Sequence, residues 1–176
     1  MERKMKRLSA AVMLFLGLVC GNEVLAETTS PKTRAAGVDM KMVERGRYLT
    51  KIAGCNDCHT PGYLLSEGKV PEKSWLTGDN FGWRGPWGTT YGSNLRLFVK
   101  GMTEKEWVSA ARTLVRRPTM PWFNLNSMNT EDLKAMYRFI RSLGPAGEPA
   151  PAYVPPDREP KTPYALFPAP PKRGRP

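Results

Sequence analysis

Cys55-Asn56-Asp57-Cys58-His59 is the stretch on which the reading of this chain turns. Two thiols three positions apart stand about one helical turn from each other, and an imidazole follows directly. Cys-x-x-Cys-His is the spacing at which c-type haem is attached, the thiols as thioethers and the imidazole on the iron. Covalent linkage prevents loss of the cofactor outside the cytoplasm. Two other readings compete. A closed structural zinc site wants four Cys or His ligands, and the chain holds too few of them once its leader is set aside. A thioredoxin-like redox pair or a structural disulfide suits an oxidising compartment, but regular alternation of strands and helices is missing and the histidine stands where haem requires it.

The leader is residues 1–26. Arg3, Lys4, Lys6 and Arg7 precede an apolar run from Leu8 to Val19, then Val24-Leu25-Ala26, the pattern of a cleaved secretory signal peptide. The run is shorter than the roughly 20 residues a membrane span needs. The expected mature chain therefore starts at Glu27, lies in the periplasm and has no transmembrane anchor. Acylation at Cys20 is the competing reading, for which Gly17-Leu18-Val19 is a poor match. The sequence has 27 basic and 16 acidic residues; four basic and two acidic ones leave with the leader, so 23 stand against 14, a net +9. Such a surface steers acidic protein partners or anionic membrane toward it, or serves only as a solvated face. Nucleic acid is not an expected partner, since export separates the two and no basic-aromatic stripe appears. Of three cysteines only Cys55 and Cys58 remain, and His59 is the single histidine. The roughly 150 mature residues suit a single domain.

Residues 27–39 are polar, with Pro31 and Gly37, and read as a flexible lead to a domain over 40–144. Val43, Gly46, Leu49, Ile52 and Ala53 follow helical spacing, with Gly46 available for close approach by another element. Residues 60–101 are rich in Gly, Trp and turn pairs and read as loop with at most a short strand. A connection of that length needs a surface to pack on: a large flat cofactor offers one to Trp75, Trp83 and Trp87, and an ordinary core is the other destination. Thr103 to Glu106 forms a capping box for a helix carrying Trp107, Val108, Ala111, Leu114 and Val115, ended at Arg116-Arg117-Pro118. Pro118 to Trp122 reads as a stiff loop. Asn129 or Thr130 caps a last helix with Leu133, Met136, Tyr137, Ile140 and Leu143 on one face. Of the 32 residues 145–176, 11 are proline, so this is an extended tail, either mobile or draped over the domain.

With one histidine, a bis-histidine iron is ruled out by composition. The sixth ligand is Met, Lys, water or nothing. Met136 reads as core, Met40 and Met42 precede the first helix, and Met102 precedes a cap. Met120 lies between two prolines, Pro118 and Pro121, which reduce the freedom lost on fixing a weak thioether ligand. It is the first candidate, with Met128 second and core packing as the other role for either. Arg84, Tyr91 and Asn94 are candidates to meet haem propionates, or are simply turn residues.

Arg45 to Leu49, the CxxCH, and Met120-Pro121-Trp122 before a terminal amphipathic helix together resemble the class I cytochrome c family. More narrowly, residues 85–91 and the Met-Pro loop are similar to haem domains of cytochrome subunits serving bacterial periplasmic alcohol and sugar dehydrogenases. The resemblance covers roughly residues 40–144. It implies an all-α fold, a small cytochrome c-like domain of three to five helices wrapped around one covalently attached haem c. It also implies a crossing of first and last helices that maps onto Gly46 and Tyr48 with Tyr137 opposite.

Together these readings predict a monohaem electron carrier, its iron on His59 and Met120, serving a periplasmic dehydrogenase and an acidic-surfaced acceptor. Filled axial positions suit electron transfer without ligand rearrangement. A haem enzyme or gas sensor with a labile sixth ligand is the rival. A dedicated dehydrogenase subunit, its proline tail clamping the partner, is a third reading.

Overall fold

The computed structural model of the chain describes residues 31–168, with side chains from Met40 onward. The signal-peptide reading and the last residues of the tail lie outside that range. In chain order come α1 (Pro31–Ile52), α2 (Cys55–His59), β1 (Gly82–Gly85), β2 (Gly88–Tyr91), α3 (Leu95–Phe98), α4 (Glu104–Thr113), α5 (Trp122–Ser127), α6 (Thr130–Ser142) and β3 (Tyr164–Leu166).

Helices α1 and α6 pack across each other at Gly46. A Cβ there would lie 2.0 Å from the Ala135 carbonyl oxygen and 2.7 Å from Phe139 Cβ, so only glycine permits this approach. The aromatic at the crossing is therefore Phe139, not Tyr137 as the resemblance implies. Tyr137 is turned aside to donate its hydroxyl to the Met102 carbonyl. Tyr48 is exposed, with Arg45 above its ring. Arg45 also pairs with Asp132 at 3.0 Å, which links the two helices at their edge. Leu133, Met136, Phe139 and Ile140 of α6 are buried, each contributing roughly 1.5–3 kcal/mol relative to exposure.

Several expectations about helix extent need correction. The described part of helix α1 runs from Pro31, so residues 31–39 of the presumed lead are helical. Ile52, expected on the buried face, is 58% exposed. At 3.6 residues per turn it stands half a turn away from Val43. Helix α4 has the expected capping box but ends at Thr113, leaving Val115 66% exposed. Asn126 of α5 explains the early stop, donating its amide to the carbonyls of Ala111 and Leu114 and so satisfying helix-end acceptors. Pro118 to Trp122, read as loop, runs into the short helix α5.

The all-α expectation is also corrected, because β1 pairs antiparallel with β2 and parallel with β3. Glycine makes this sheet possible. A Cβ at Gly82 would lie 2.6 Å from Thr89 Cγ2 and 3.1 Å from Tyr164 Cβ. The third strand comes from the proline-rich tail, which lies along the domain over its described length. Asn94 donates to the carbonyls of Ala146 and Glu148. Val154 exchanges backbone bonds with Thr89, and Arg84 donates to the Arg158 and Pro156 carbonyls.

Arg96 of α3 ties the end of α6 to the segment around Lys73. Buried, it donates to the carbonyls of Leu143 and Gly144 at the end of α6 and, at 2.8 Å, to that of Lys73. A guanidinium with several donors suits this task better than an ammonium group.

Candidate functional site

Gly54, at φ 70°, makes the left-handed turn that separates α2 from α1, a conformation that glycine adopts without strain. The five residues of α2 are the CxxCH itself. Behind them the Leu76 amide donates to Thr60 Oγ1 at 2.8 Å, and Thr60 donates in turn to Asn56 Oδ1 at 2.7 Å. The Gly78 amide donates to the His59 carbonyl at 2.8 Å. The segment after the motif is thereby folded back against it.

His59 is buried, and its Nδ1 lies 2.7 Å from the carbonyl oxygen of Ser93. A carbonyl only accepts, so Nδ1 carries the hydrogen and Nε2 keeps its lone pair free for a metal. Burial lowers the tendency of this ring to protonate, with the Ser93 bond opposing in part. A Cβ at Gly92 would fall 1.7 Å from the Cys58 carbonyl oxygen. The absence of a side chain at 92 is what lets Ser93 reach the imidazole. Sequence reasoning missed Ser93, because a backbone acceptor leaves no mark in residue type.

Cys55 and Cys58 are free thiols. Burial, aided by the neighbouring Asp57, pushes Cys55 up to about 12 and Cys58 up to about 11. Reactive redox cysteines are shifted the other way by positive surroundings, so this environment does not favour a thioredoxin-like pair.

The two cysteines, His59 and Met120 line a single cavity of about 290 Å³ with largely apolar walls. The loop carrying Met120 is tied to the sheet at Pro118. Thr90 of β2 donates its hydroxyl to the Pro118 carbonyl at 2.7 Å, and Thr119 lines the same cavity as Cys58. Met128 and Met136 line the same cavity. Met136 is 1% exposed and belongs to the α6 core as expected, so it has both roles.

The tryptophans divide between the two destinations. Trp83 lines the cavity, joined by Trp107, whose indole donates to the Leu133 carbonyl. Trp75 sits instead in the helical core, edge-on to Tyr63 and Phe139. Trp87 packs on Phe167 of the tail. Of the three propionate candidates only Tyr91 reaches the cavity. Arg84 is occupied by tail carbonyls and Glu159, and Asn94 caps α3 while holding the tail. The cations that do line the cavity are Arg116 and Arg117, which sequence reasoning had used only as a helix end.

The donor set fits a haem: two thiols on one turn, a buried neutral imidazole with Nε2 free, and a thioether, all facing an apolar cavity. Tail residues Pro151 and Tyr153 complete the wall. Among the described residues no helix is long and apolar enough to cross a membrane.

Comparison with known proteins relates the chain to a cytochrome subunit of a dehydrogenase. That relative, the fructose dehydrogenase cytochrome subunit of Gluconobacter japonicus, is 28% identical over 160 residues, which cover 85% of this chain. The chain spans only 31% of that protein's length. No protein-family model and no solved structure matches the chain.

Proposed function

We propose that the chain is an exported, single-haem c-type cytochrome that carries single electrons in the periplasm between a dehydrogenase and a downstream acceptor. The observation that carries this reading is the convergence of Cys55, Cys58, His59 and Met120 on one largely apolar cavity. Cys55 and Cys58 would hold haem c as thioethers, and His59 Nε2 with the Met120 sulfur would fill the axial positions. When bound, the group supplies a one-electron redox centre. Ser93 keeps the imidazole in the tautomer that can ligate. The apolar wall excludes water and penalises added positive charge, favouring the reduced form. A haem held by both His59 and Met120 would have no open position for substrate, which favours a carrier over an enzyme.

The relationship to a dehydrogenase cytochrome subunit supports a narrower version, in which the chain is a dedicated subunit of such a complex. Intact mass and the pyridine haemochrome spectrum of the exported protein test the attachment. One haem per chain, lost in Cys55→Ser/Cys58→Ser, is expected; a haem-free wild type would overturn the reading. Co-purification of a dehydrogenase with the native protein separates the subunit from the free carrier.

A further inference from the structure

The loop from Leu114 to Pro121, which delivers Met120 to the cavity, has little burial of its own: Val115, Arg116, Arg117 and Pro118 are all exposed. Its place is therefore set by contacts made to it from other segments. Thr90 of β2 holds the Pro118 carbonyl. The residue before, Arg117, is met by the tail, where the Tyr153 ring lies under the guanidinium with 4.1 Å between ring centroid and guanidinium carbon.

Tyr153 is itself fixed. Its hydroxyl donates to the Trp87 carbonyl at 2.8 Å, and its neighbour Val154 exchanges backbone bonds with Thr89 at 2.7 and 3.1 Å. Gly88 makes room for both: at φ 94° a Cβ there would stand 2.5 Å from the Val154 carbonyl oxygen and 2.7 Å from the Tyr153 hydroxyl. Thr89 thus holds the tail, and the next residue, Thr90, holds the Met120 loop. Upstream, Asn94 holds Ala146 and Glu148, so residues 149–153 stretch between two anchors with Pro151 and Tyr153 on the cavity.

To the helical core the tail adds nothing. Among the described residues, the buried apolar core ends at Ile140, and no apolar side chain beyond Leu143 packs against it. A segment held by hydrogen bonds and by ring contacts outside the core opens at lower free energy than the core itself. The tail can lift while α1 and α6 stay packed.

We propose that the tail is a strap that steadies Met120, with Tyr153 as the positioning residue through which it acts. Docked, the ring holds Arg117 and with it the loop; lifted, it frees the loop, and the thioether leaves its place more readily. This rests on the haem reading above, since Met120 is the ligand that reading assigns to the second face.

The test uses the full-length, haem-loaded protein. Carbon monoxide binding to the reduced form is followed by stopped flow, the ferric methionine-sulfur band by absorption, and amide exchange by mass spectrometry. Tyr153→Ala should speed carbon monoxide binding about two- to fivefold, the range set by a cation–π contact at an exposed position, and should weaken the band. Tyr153→Phe keeps the ring and should fall between this variant and wild type. Exchange should rise in residues 149–154 and 114–121 together, while α1 and α6 keep their protection. Arg117→Ala should match Tyr153→Ala, and the double variant should add nothing to either, as for two residues acting through one contact. A fully additive double variant would overturn the proposal, by giving Arg117 a separate task at the cavity. Faster exchange confined to the tail, or a lower melting temperature, with band and binding rate as in wild type would also overturn it, leaving Tyr153 a covering residue alone. A wild type with no haem spectrum would instead contradict the parent reading.

Discussion

His59 Nδ1 and the carbonyl oxygen of Ser93 are 2.7 Å apart, and this contact depends on Gly92, whose missing side chain lets the chain lie against Cys58. Gly92→Ala is therefore expected to push this segment away from α2. Overpacking of this kind costs typically about 1–3 kcal/mol, and here it also disturbs the orientation of the imidazole. The checks are the denaturation midpoint and the visible spectrum, which should change together.

Gly46→Ala tests the helix crossing. With a Cβ 2.0 Å from the Ala135 carbonyl oxygen, α1 and α6 must separate, and the expected loss is about 3 kcal/mol or more, at the upper end for overpacking. Denaturant titration of the variant reads it directly. An unchanged midpoint would place the crossing elsewhere.

Thr90→Val removes the hydroxyl that holds the Pro118 carbonyl. Its direct cost is small, about 1 kcal/mol for one hydrogen bond. The larger expected effect is on Met120, two residues along the loop. The ferric methionine-sulfur band should weaken and carbon monoxide should bind the reduced variant faster than wild type. A variant with the stability loss alone would make Thr90 merely structural.

Deleting residues 145–176 removes β3 from the sheet and takes Pro151 and Tyr153 from the cavity wall. A tail that only clamps a partner, the third of the sequence readings, would leave the spectrum unchanged when cut. The fold predicts the opposite: a perturbed spectrum and lower stability, read by absorption and thermal melting.

How far the sequence was legible follows from where each signal resides. The capping box at Thr103 and Glu106 and the apolar face of α6 are local patterns, and both appear where they were read. Gly46 carried its own signal, a glycine inside a helical pattern. The sheet did not, because β1 and β2 are bounded by glycines and too short to show alternation, while β3 lies in a proline-rich tail that only tertiary pairing makes a strand. At the site, Cys55, Cys58, His59 and Met120 were all nominated from residue type and spacing, and the fold brings them to one cavity. Ser93 was illegible because it acts through its backbone. Arg116 and Arg117 were overlooked because beside Pro118 they read as a helix terminus, and only the fold brings the tail ring of Tyr153 under Arg117.

The central claim is one covalently held haem with His59 and Met120 on its two faces, and the ferric absorption spectrum of wild type beside Met120→Ala tests it most directly. The account predicts a methionine-sulfur band toward the red end in wild type that disappears in Met120→Ala and persists in Met128→Ala. A wild type lacking that band, with rapid carbon monoxide binding once reduced, or a band that survives in Met120→Ala, would contradict it.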